Sequence, residues 1–402
     1  MNQPFKAIKV SENTYWVGAV DWGIRDFHGY ATKEGTTYNA YLVMADKPAL
    51  IDTVKAPFYD EMMSRISSII DPCDIEIIVS NHSEMDHSGS LMKSIEAVKP
   101  DKVYASTMGV KALAEHFHHD KEITAIKTGE KIDLGNMSLA AVETRMVHWP
   151  DSMMTYLDAD KLLFSQDGFG MHLASTERFA DQLPESLLYA EAAKYYANIL
   201  LLYTKTIAQA LDKVTGLGVE IECICPDHGP VWRKPEQIKW IIGNYVKWAE
   251  QKPASKAVIV YDTMWKTTQH MADAVADGVS QAGAIARVLP LSSAHRSDIA
   301  TEILEAGALI LGSPTLNNQI FPSMADVLTY LKGLKPQNLI GAVFGSFGWS
   351  GESCKHLIEY LTDMGIEIVA EPVRSKYVAS DELLVKCHEL GDLIGKKLLE
   401  NK

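Results

Sequence analysis

The stretch NHSEMDHSGS, Asn81 to Ser90, follows directly on the apolar run EIIVS. Within six positions it carries two histidines and two carboxylates: His82, Glu84, Asp86 and His87. EIIVS is rich in β-branched residues and reads as a strand. A cluster on the turn that leaves a strand can aim several side chains into one cavity. Taken alone, a solvated polar turn with a capping Asp or Ser would explain it as well. Three further stretches repeat the pattern: His148 lies in RMVHWPDS, Asp167 in LLFSQDGFG and His228 in CICPDHGP. Each time a strand-like run leads to a His or Asp and then to a turn containing Gly or Pro.

Together these stretches offer four histidines and three carboxylates, more than one metal uses; a tetrahedral zinc takes about four ligands. Seven donors fit two metals that share one carboxylate, roughly 3.5–4 Å apart. The order of the motifs resembles the metallo-β-lactamase fold, whose hydrolytic members carry H-x-H-x-D-H at the first position. Here Glu84 stands where the second histidine of that pattern would be. An anionic oxygen in place of a neutral imidazole makes the site harder and more negative. That favours iron cycling between Fe(II) and Fe(III), whereas zinc does no redox chemistry.

The bulk numbers bound the rest. At 402 residues the chain is too long for one ordinary core and implies two or three domains. A net charge of −14 argues against nucleic acid as the main partner, which needs a basic face. The five cysteines include no C-x-x-C pair, which suits a reducing compartment better than a disulfide scaffold. No signal-peptide pattern opens the chain and no apolar run is long enough for a membrane span, so the cytoplasm is the expected location.

Residues 1 to about 250 read as short strands (NTYWVGAV, TYNAYLVMA, PALIDT, KVYAST, MSLAAVET, MTYLDA) with a few helices, notably YAEAAKYYANILLLYTKTIAQALDKV. Sheets covered by helices follow. AEQKPASKAV, Ala249 to Val258, is polar and reads as a linker. Beyond it, from residue 254 to 402, strands and helices alternate: KAVIVYD, ALILG and GAVFG each run into a loop rich in Gly, Ser or Thr. That alternation predicts a doubly wound parallel sheet, with ligands at the carboxyl ends of its strands.

The three loops are the candidate flavin cradle. The first holds Thr263, Met264, Trp265, Thr267 and Thr268, where free N–H groups at a helix start suit a phosphate. It lacks the P-loop pattern. The second is Ser313, Pro314, Thr315, Leu316, Asn317 and Asn318; the third is Ser346, Phe347, Gly348, Trp349, Ser350 and Gly351. Small residues let backbone approach a flat ring, and Trp349 offers it an aromatic face. Three such loops at the ends of parallel strands point to flavin mononucleotide (FMN), and this half resembles flavodoxin.

A metallo-β-lactamase-like αββα sandwich domain followed by a flavodoxin-like domain resembles the flavodiiron proteins over essentially the whole chain. HWPDSM, KYYAN, PDHG, SPTLNN and GSFGWSGE carry the resemblance. It implies two non-haem irons and FMN. His82, Glu84 and His148 would hold one iron, Asp86, His87 and His228 the other, and Asp167 would bridge them. In some relatives the histidine matching His87 is turned away from the metal. Around Asp167 this chain reads SQDGFGM where relatives read NDxFGQ, so Gln166 and Met171 alter the surroundings of the bridge. The implied activity is reduction of dioxygen to water or of nitric oxide to nitrous oxide. Rubredoxin or another reduced donor would supply electrons, since the chain shows no appended C-x-x-C module and resembles the minimal two-domain class. A head-to-tail homodimer, or a dimer of dimers, is implied as well. His28, Trp149, His172 and Tyr195 are candidates for proton delivery or substrate orientation. The run HFHH, with His116, His118 and His119, reads as a solvated helix end. Two other readings compete: a dinuclear zinc hydrolase with a flavodoxin-like appendage, and an electron-transfer module whose first half is scaffold. Glu84 and the fused flavin loops weigh against both.

Overall fold

In the computed structural model the described residues are 4–216 and 218–400. They form two compact units. Thr32–Tyr195 and Tyr203–Val246, with the residues before Gly29, make the first; Lys247–Lys402 with Gly29–Ala31 and Tyr196–Leu202 makes the second.

The first unit is built on two sheets. One has seven strands in the order Ile8–Lys9, Thr14–Trp16, Tyr41–Val43, Ala49–Ile51, Ile77–Ser80, Lys102–Ser106 and Thr124–Ile126. The other has five: Lys131–Asp133, Ser138–Glu143, Met153–Leu157, Leu162–Gln166 and Cys223–Pro226. Strand alternation decides which residues meet between them. Tyr41, Val43, Ile77 and Val79 pack in one core with Leu139, Met153, Leu162 and Phe164 of the other sheet. Leu42, Leu50 and Ile78, one residue out of phase, pack beneath Met62, Ile66, Leu91 and Ile95 of the helices Tyr59–Ile66 and Leu91–Val98. On the outer face of the five-stranded sheet, Met154, Tyr156 and Leu163 meet Val214 of the helix Thr204–Gly216. Helix, sheet, sheet, helix is the αββα sandwich expected.

The long helix expected around Tyr195 is not continuous. Glu185–Tyr195 is α-helical, Tyr196–Leu200 widens into a π-helical turn, Leu201–Tyr203 tightens to 3₁₀, and α-helix resumes at Thr204. The linker is also shorter than Ala249–Val258. The helix Pro235–Glu250 covers its start and the strand Lys256–Tyr261 its end.

The second unit is a parallel sheet in the order Ile285–Pro290, Lys256–Tyr261, Ala308–Pro314, Ile340–Phe347 and Glu367–Ile368, with Val373–Lys376 also paired to Ile340–Phe347. Ala257 and Ile259 are covered by Met271, Val275 and Val279 of the helix Thr267–Gln281, and by Leu390, Ile394 and Leu398 of the helix Asp381–Glu400. Among the described residues no helix is long and apolar enough to cross a membrane. All five cysteines are free; Cys73, in the turn Pro72–Asp74, is exposed and the other four are buried.

Candidate metal centre and flavin pocket

Three of the ligand stretches leave strand ends. Ile77–Ser80 leads to His82, Leu162–Gln166 to Asp167, and Cys223–Pro226 to His228, while His148 sits in the loop between Ser138–Glu143 and Met153–Leu157. The seven side chains converge in two sets: His82, Glu84, His148 and Asp167, then Asp86, His87 and His228. Asp167 faces both. Its Oδ2 lies 3.3 Å from His82 Nε2 and 3.0 Å from His148 Nε2; its Oδ1 lies 3.3 Å from His87 Nε2 and 3.6 Å from His228 Nε2. Glu84 Oε2 is 3.1 Å from His148 Nε2, and Asp86 Oδ2 is 3.1 Å from His228 Nε2. His87 points inward, with Nε2 3.4 Å from Asp86 Oδ1.

These residues fit a pair of cations. His82 Nε2, His87 Nε2 and both oxygens of Asp86 and Asp167 are buried without a hydrogen-bond partner, an expensive arrangement for groups serving packing alone. Burial lowers the imidazole of His87, yet Asp86 and Asp167 outweigh it and bring its pKa up to about 10. For His82 burial is likewise outweighed, by Asp151, Glu84 and Asp167, and the pKa lies well above the usual value. Burial would raise Asp167; His87 and His148 hold it well below the carboxylate range instead. The cluster thus draws positive charge to itself, and metal binding would exchange those protons for cations.

The outward ring nitrogens of His82 and His228 are anchored. Asp151 Oδ2 accepts from Ser83 N at 2.6 Å and lies 3.1 Å from His82 Nδ1. His228 Nδ1 is 2.6 Å from Thr37 O. Gln166 clamps two ligand segments: its Nε2 donates to Val147 O and its Oε1 accepts from Asp167 N at 2.8 Å. Such contacts orient ligands and fix tautomers. Asp151 was within reach of sequence reasoning, because a carboxylate three residues after His148 in HWPDSM is a plausible anchor. The Thr37 contact to His228 and the Gln166 contact to Val147 O join segments that are not neighbours in the chain and leave no local signal.

The four outer candidates differ in place. His172 is fully buried, with Nδ1 2.8 Å from Thr36 Oγ1 and its ring 4.7 Å from His228. Burial and then His228 hold it well below the usual pKa, hence neutral. Tyr195 packs 5.1 Å from His172, ring centre to ring centre. Trp149 stands edge-on to His82 and stacks on His116. The helix Thr107–Phe117 does end in the HFHH run, but His116 is thereby an aromatic partner of Trp149. His28 has a 78% exposed side chain with Nε2 3.9 Å from Glu84 Oε1. It lines an open cleft of about 490 Å³ with Asp26, Lys55, Glu84 and Asp86.

In the second unit the three loops surround one cavity of about 380 Å³, a size suited to a flat cofactor. Met264, Trp265, Thr267, Thr315, Leu316, Asn317, Asn318, Ser346, Phe347, Gly348, Trp349 and Ser350 line it. Tyr377, which the sequence reading did not single out, lines it too. Thr263, Thr268, Ser313, Pro314 and Gly351 are not on the wall. Thr268 Oγ1 bonds Ser346 Oγ at 2.9 Å, Ser313 Oγ accepts from Phe321 N at 3.0 Å, and Gly351 O accepts from Arg374. Pro314 ends the strand below. Thr263 Oγ1 is buried without a partner just before the helix Thr267–Gln281, a donor group suited to a phosphate oxygen. The residues therefore fit FMN. Trp265 and Trp349 are 90% and 87% exposed.

Comparison with known proteins agrees with this geometry. The ODP family beta lactamase model matches residues 36–229 and the flavodoxin model residues 259–391. The rubredoxin-oxygen oxidoreductase of Megalodesulfovibrio gigas is 46% identical over 93% of both chains. The nitric oxide reductase of Moorella thermoacetica is 42% identical over the full length of both. The crystal structure of the flavodiiron protein from Giardia intestinalis superposes with a TM-score of 0.96 at 32% identity, covering 100% of this chain and 98% of that one. A lactamase-type sandwich with a paired metal site, joined to a flavodoxin, defines a class of flavin-fed metallo-oxidoreductases. This chain belongs to the flavodiiron protein family.

Proposed function

We propose that the seven converging side chains are the iron ligands of an oxidoreductase that reduces dioxygen to water, nitric oxide to nitrous oxide, or both, with FMN as the electron feed. The observation that carries the ligand assignment is the split of Asp167, one oxygen toward each set of donors. His82, Glu84 and His148 hold one iron in this reading, and Asp86, His87 and His228 the other. When bound, two ferrous ions and a reduced flavin supply the four electrons that dioxygen needs, or the two for a pair of nitric oxides.

The chain's own residues set the rest. Asp151 accepts a hydrogen bond from His82 Nδ1–H in this reading, which leaves the lone pair of Nε2 facing inward, and Thr37 O accepts one from His228 Nδ1–H in the same way. Neutral His172 and Tyr195 wall the centre without adding charge. Tyr195 holds its proton at the hydroxyl, because burial and then Asp167 push its pKa well up. His28 and Lys55 at the open cleft supply protons from solvent. Glu84 weighs against the zinc hydrolase, which would hold a histidine there.

The relative from Megalodesulfovibrio gigas is named for rubredoxin, and we carry rubredoxin, or another reduced donor, to this chain as electron source. The exposed Trp265 and Trp349 at the flavin pocket support a homodimer in which the partner covers them, head to tail. Free cysteines support a cytoplasmic location. The deciding experiment is elemental analysis of protein from an iron-replete culture, followed by turnover of each gas with a reduced donor. Two irons and one FMN per chain with turnover are expected; two zincs and no iron would sink the redox reading of the first unit.

A further inference from the structure

Besides the open cleft at His28, the first unit has an apolar pocket that touches the metal ligands through their neighbours in sequence. Its walls include Val147, which precedes His148, and Gly168, which follows Asp167. Ile207, Ala210 and Val214 of the helix Thr204–Gly216 complete it, with Met154, Phe169 and Tyr245. Resting on the oxidoreductase reading above, we propose that this pocket binds the neutral diatomic substrate, dioxygen or nitric oxide, before it reaches the metals.

Three observations carry the proposal. The first is polarity. Among the described residues of the wall the one polar side chain, Tyr245, accepts a 2.8 Å hydrogen bond from Phe169 N at its hydroxyl. A stable internal water needs two to four polar partners, whereas small apolar cavities stay dry and take up apolar molecules such as xenon. Dioxygen and nitric oxide are weak hydrogen-bonding molecules of that kind. The second is size. The space open to the centre of a water-sized sphere is about 10 Å³, at the lower edge of the ~10–15 Å³ that one water needs on that measure, so only a molecule of a few atoms fits. Peptides, flavins and donor proteins are excluded.

The third is position. Val147 and Gly168 flank two ligands that Gln166 already ties together, through Val147 O and Asp167 N. Gas held there lies against the backbone that carries His148 and Asp167. The pocket also depends on Gly168. A Cβ at that position would lie 2.8 Å from Met154 Cε and 3.0 Å from Ser165 O, so a side chain there would force Met154, a wall of the pocket, to shift. The flexible Met154 thioether is the movable wall. The cleft at His28 mixes the titratable Asp26, His28, Lys55, Glu84 and Asp86 with Ile24, Phe27, Pro57 and Met85, and its titratable groups suit proton entry.

Xenon tests this apart from turnover. Crystals of the full-length protein, pressurised with xenon, should show xenon density between Ala210, Val214 and Phe169. Ala210→Phe should abolish that density and raise the KM for dioxygen roughly tenfold, the lower end of what one small apolar contact discriminates. Ile207→Ala, which enlarges the pocket, should increase xenon occupancy and keeps the test open if Ala210→Phe does not fold. No xenon in wild-type crystals would overturn the proposal, as would an unchanged KM in a folded, xenon-free Ala210→Phe protein. Wild type loaded with iron and FMN that reduced neither gas would instead remove the underlying function, and with it the substrate assignment, whatever the xenon density.

Discussion

Asp151 offers the sharpest test of how the metal centre is held. Its side chain is buried, and one oxygen serves both Ser83 N and the His82 ring. Burial by itself would raise the carboxyl, but the His82 and Ser83 bonds outweigh it and hold the pKa at about 2, against an ordinary 3.8. A carboxyl lowered on folding stabilises the protein above its unfolded pKa, and that contribution is lost as pH falls through the folded one. Asp151 therefore contributes ~2 kcal/mol at neutral pH, disappearing between about pH 4 and 2. Asp151→Ala leaves two buried donors unpaired, each costing about 1–3 kcal/mol. The metal-free protein should lose roughly 2–6 kcal/mol, and iron affinity should fall about 10–100-fold, because the His82 ring is no longer oriented. Asp151→Asn can keep an oxygen toward both donors and forfeits only the charge assistance, on the order of 1 kcal/mol. Urea unfolding of metal-free protein and a chelator competition for iron read these effects. Equal urea midpoints for wild type and Asp151→Ala, with equal iron retention, would refute the role assigned to this carboxylate.

Other perturbations follow from the same geometry. Glu84→His should shift the purified protein from iron toward zinc and abolish gas reduction; retained turnover with unchanged iron content would show the account of that ligand to be wrong. Gly312→Ala puts a Cβ 2.2 Å from the Phe344 ring, overpacking that costs ~1–3 kcal/mol, so thermal unfolding of the FMN unit should come earlier. Trp349→Ala removes an aromatic wall of the flavin cavity and should weaken FMN roughly 2–10-fold, the value of one ring contact, as measured by flavin fluorescence titration. Sedimentation should give a dimer that the double variant Trp265→Ser, Trp349→Ser weakens; an unaltered dimer would leave the exposed tryptophans without that role.

Much of this arrangement could be read from the chain because it is local. A His or Asp immediately beyond a strand inherits its direction from the strand, so motifs at His82, Asp167 and His228 convert directly into a convergent site. The three Gly-, Ser- and Thr-rich loops convert in the same way. What stayed hidden depends on long-range approach. Thr36 and Thr37 meet His172 and His228 across sequence separations of 136 and 191 residues, and Tyr377 reaches the flavin cavity because the strand Val373–Lys376 before it pairs with Ile340–Phe347, which leads into the third loop. The break at Tyr196–Leu200 was also illegible. YYANILLLY has no proline or glycine to announce it, and the buried tyrosines and Asn198 are set by packing rather than by helix propensity.

The solitary exposed thiol has a practical consequence. Under native conditions a maleimide or a gold surface meets only Cys73, since Cys223, Cys225, Cys354 and Cys387 lie inside the protein. The wild-type chain therefore carries a single attachment point for tethering to an electrode, in a turn of the first unit and outside the residues that line the flavin cavity. A labelling stoichiometry above one reports cores that have opened, so the same reaction that immobilises the enzyme also counts how much of it is folded.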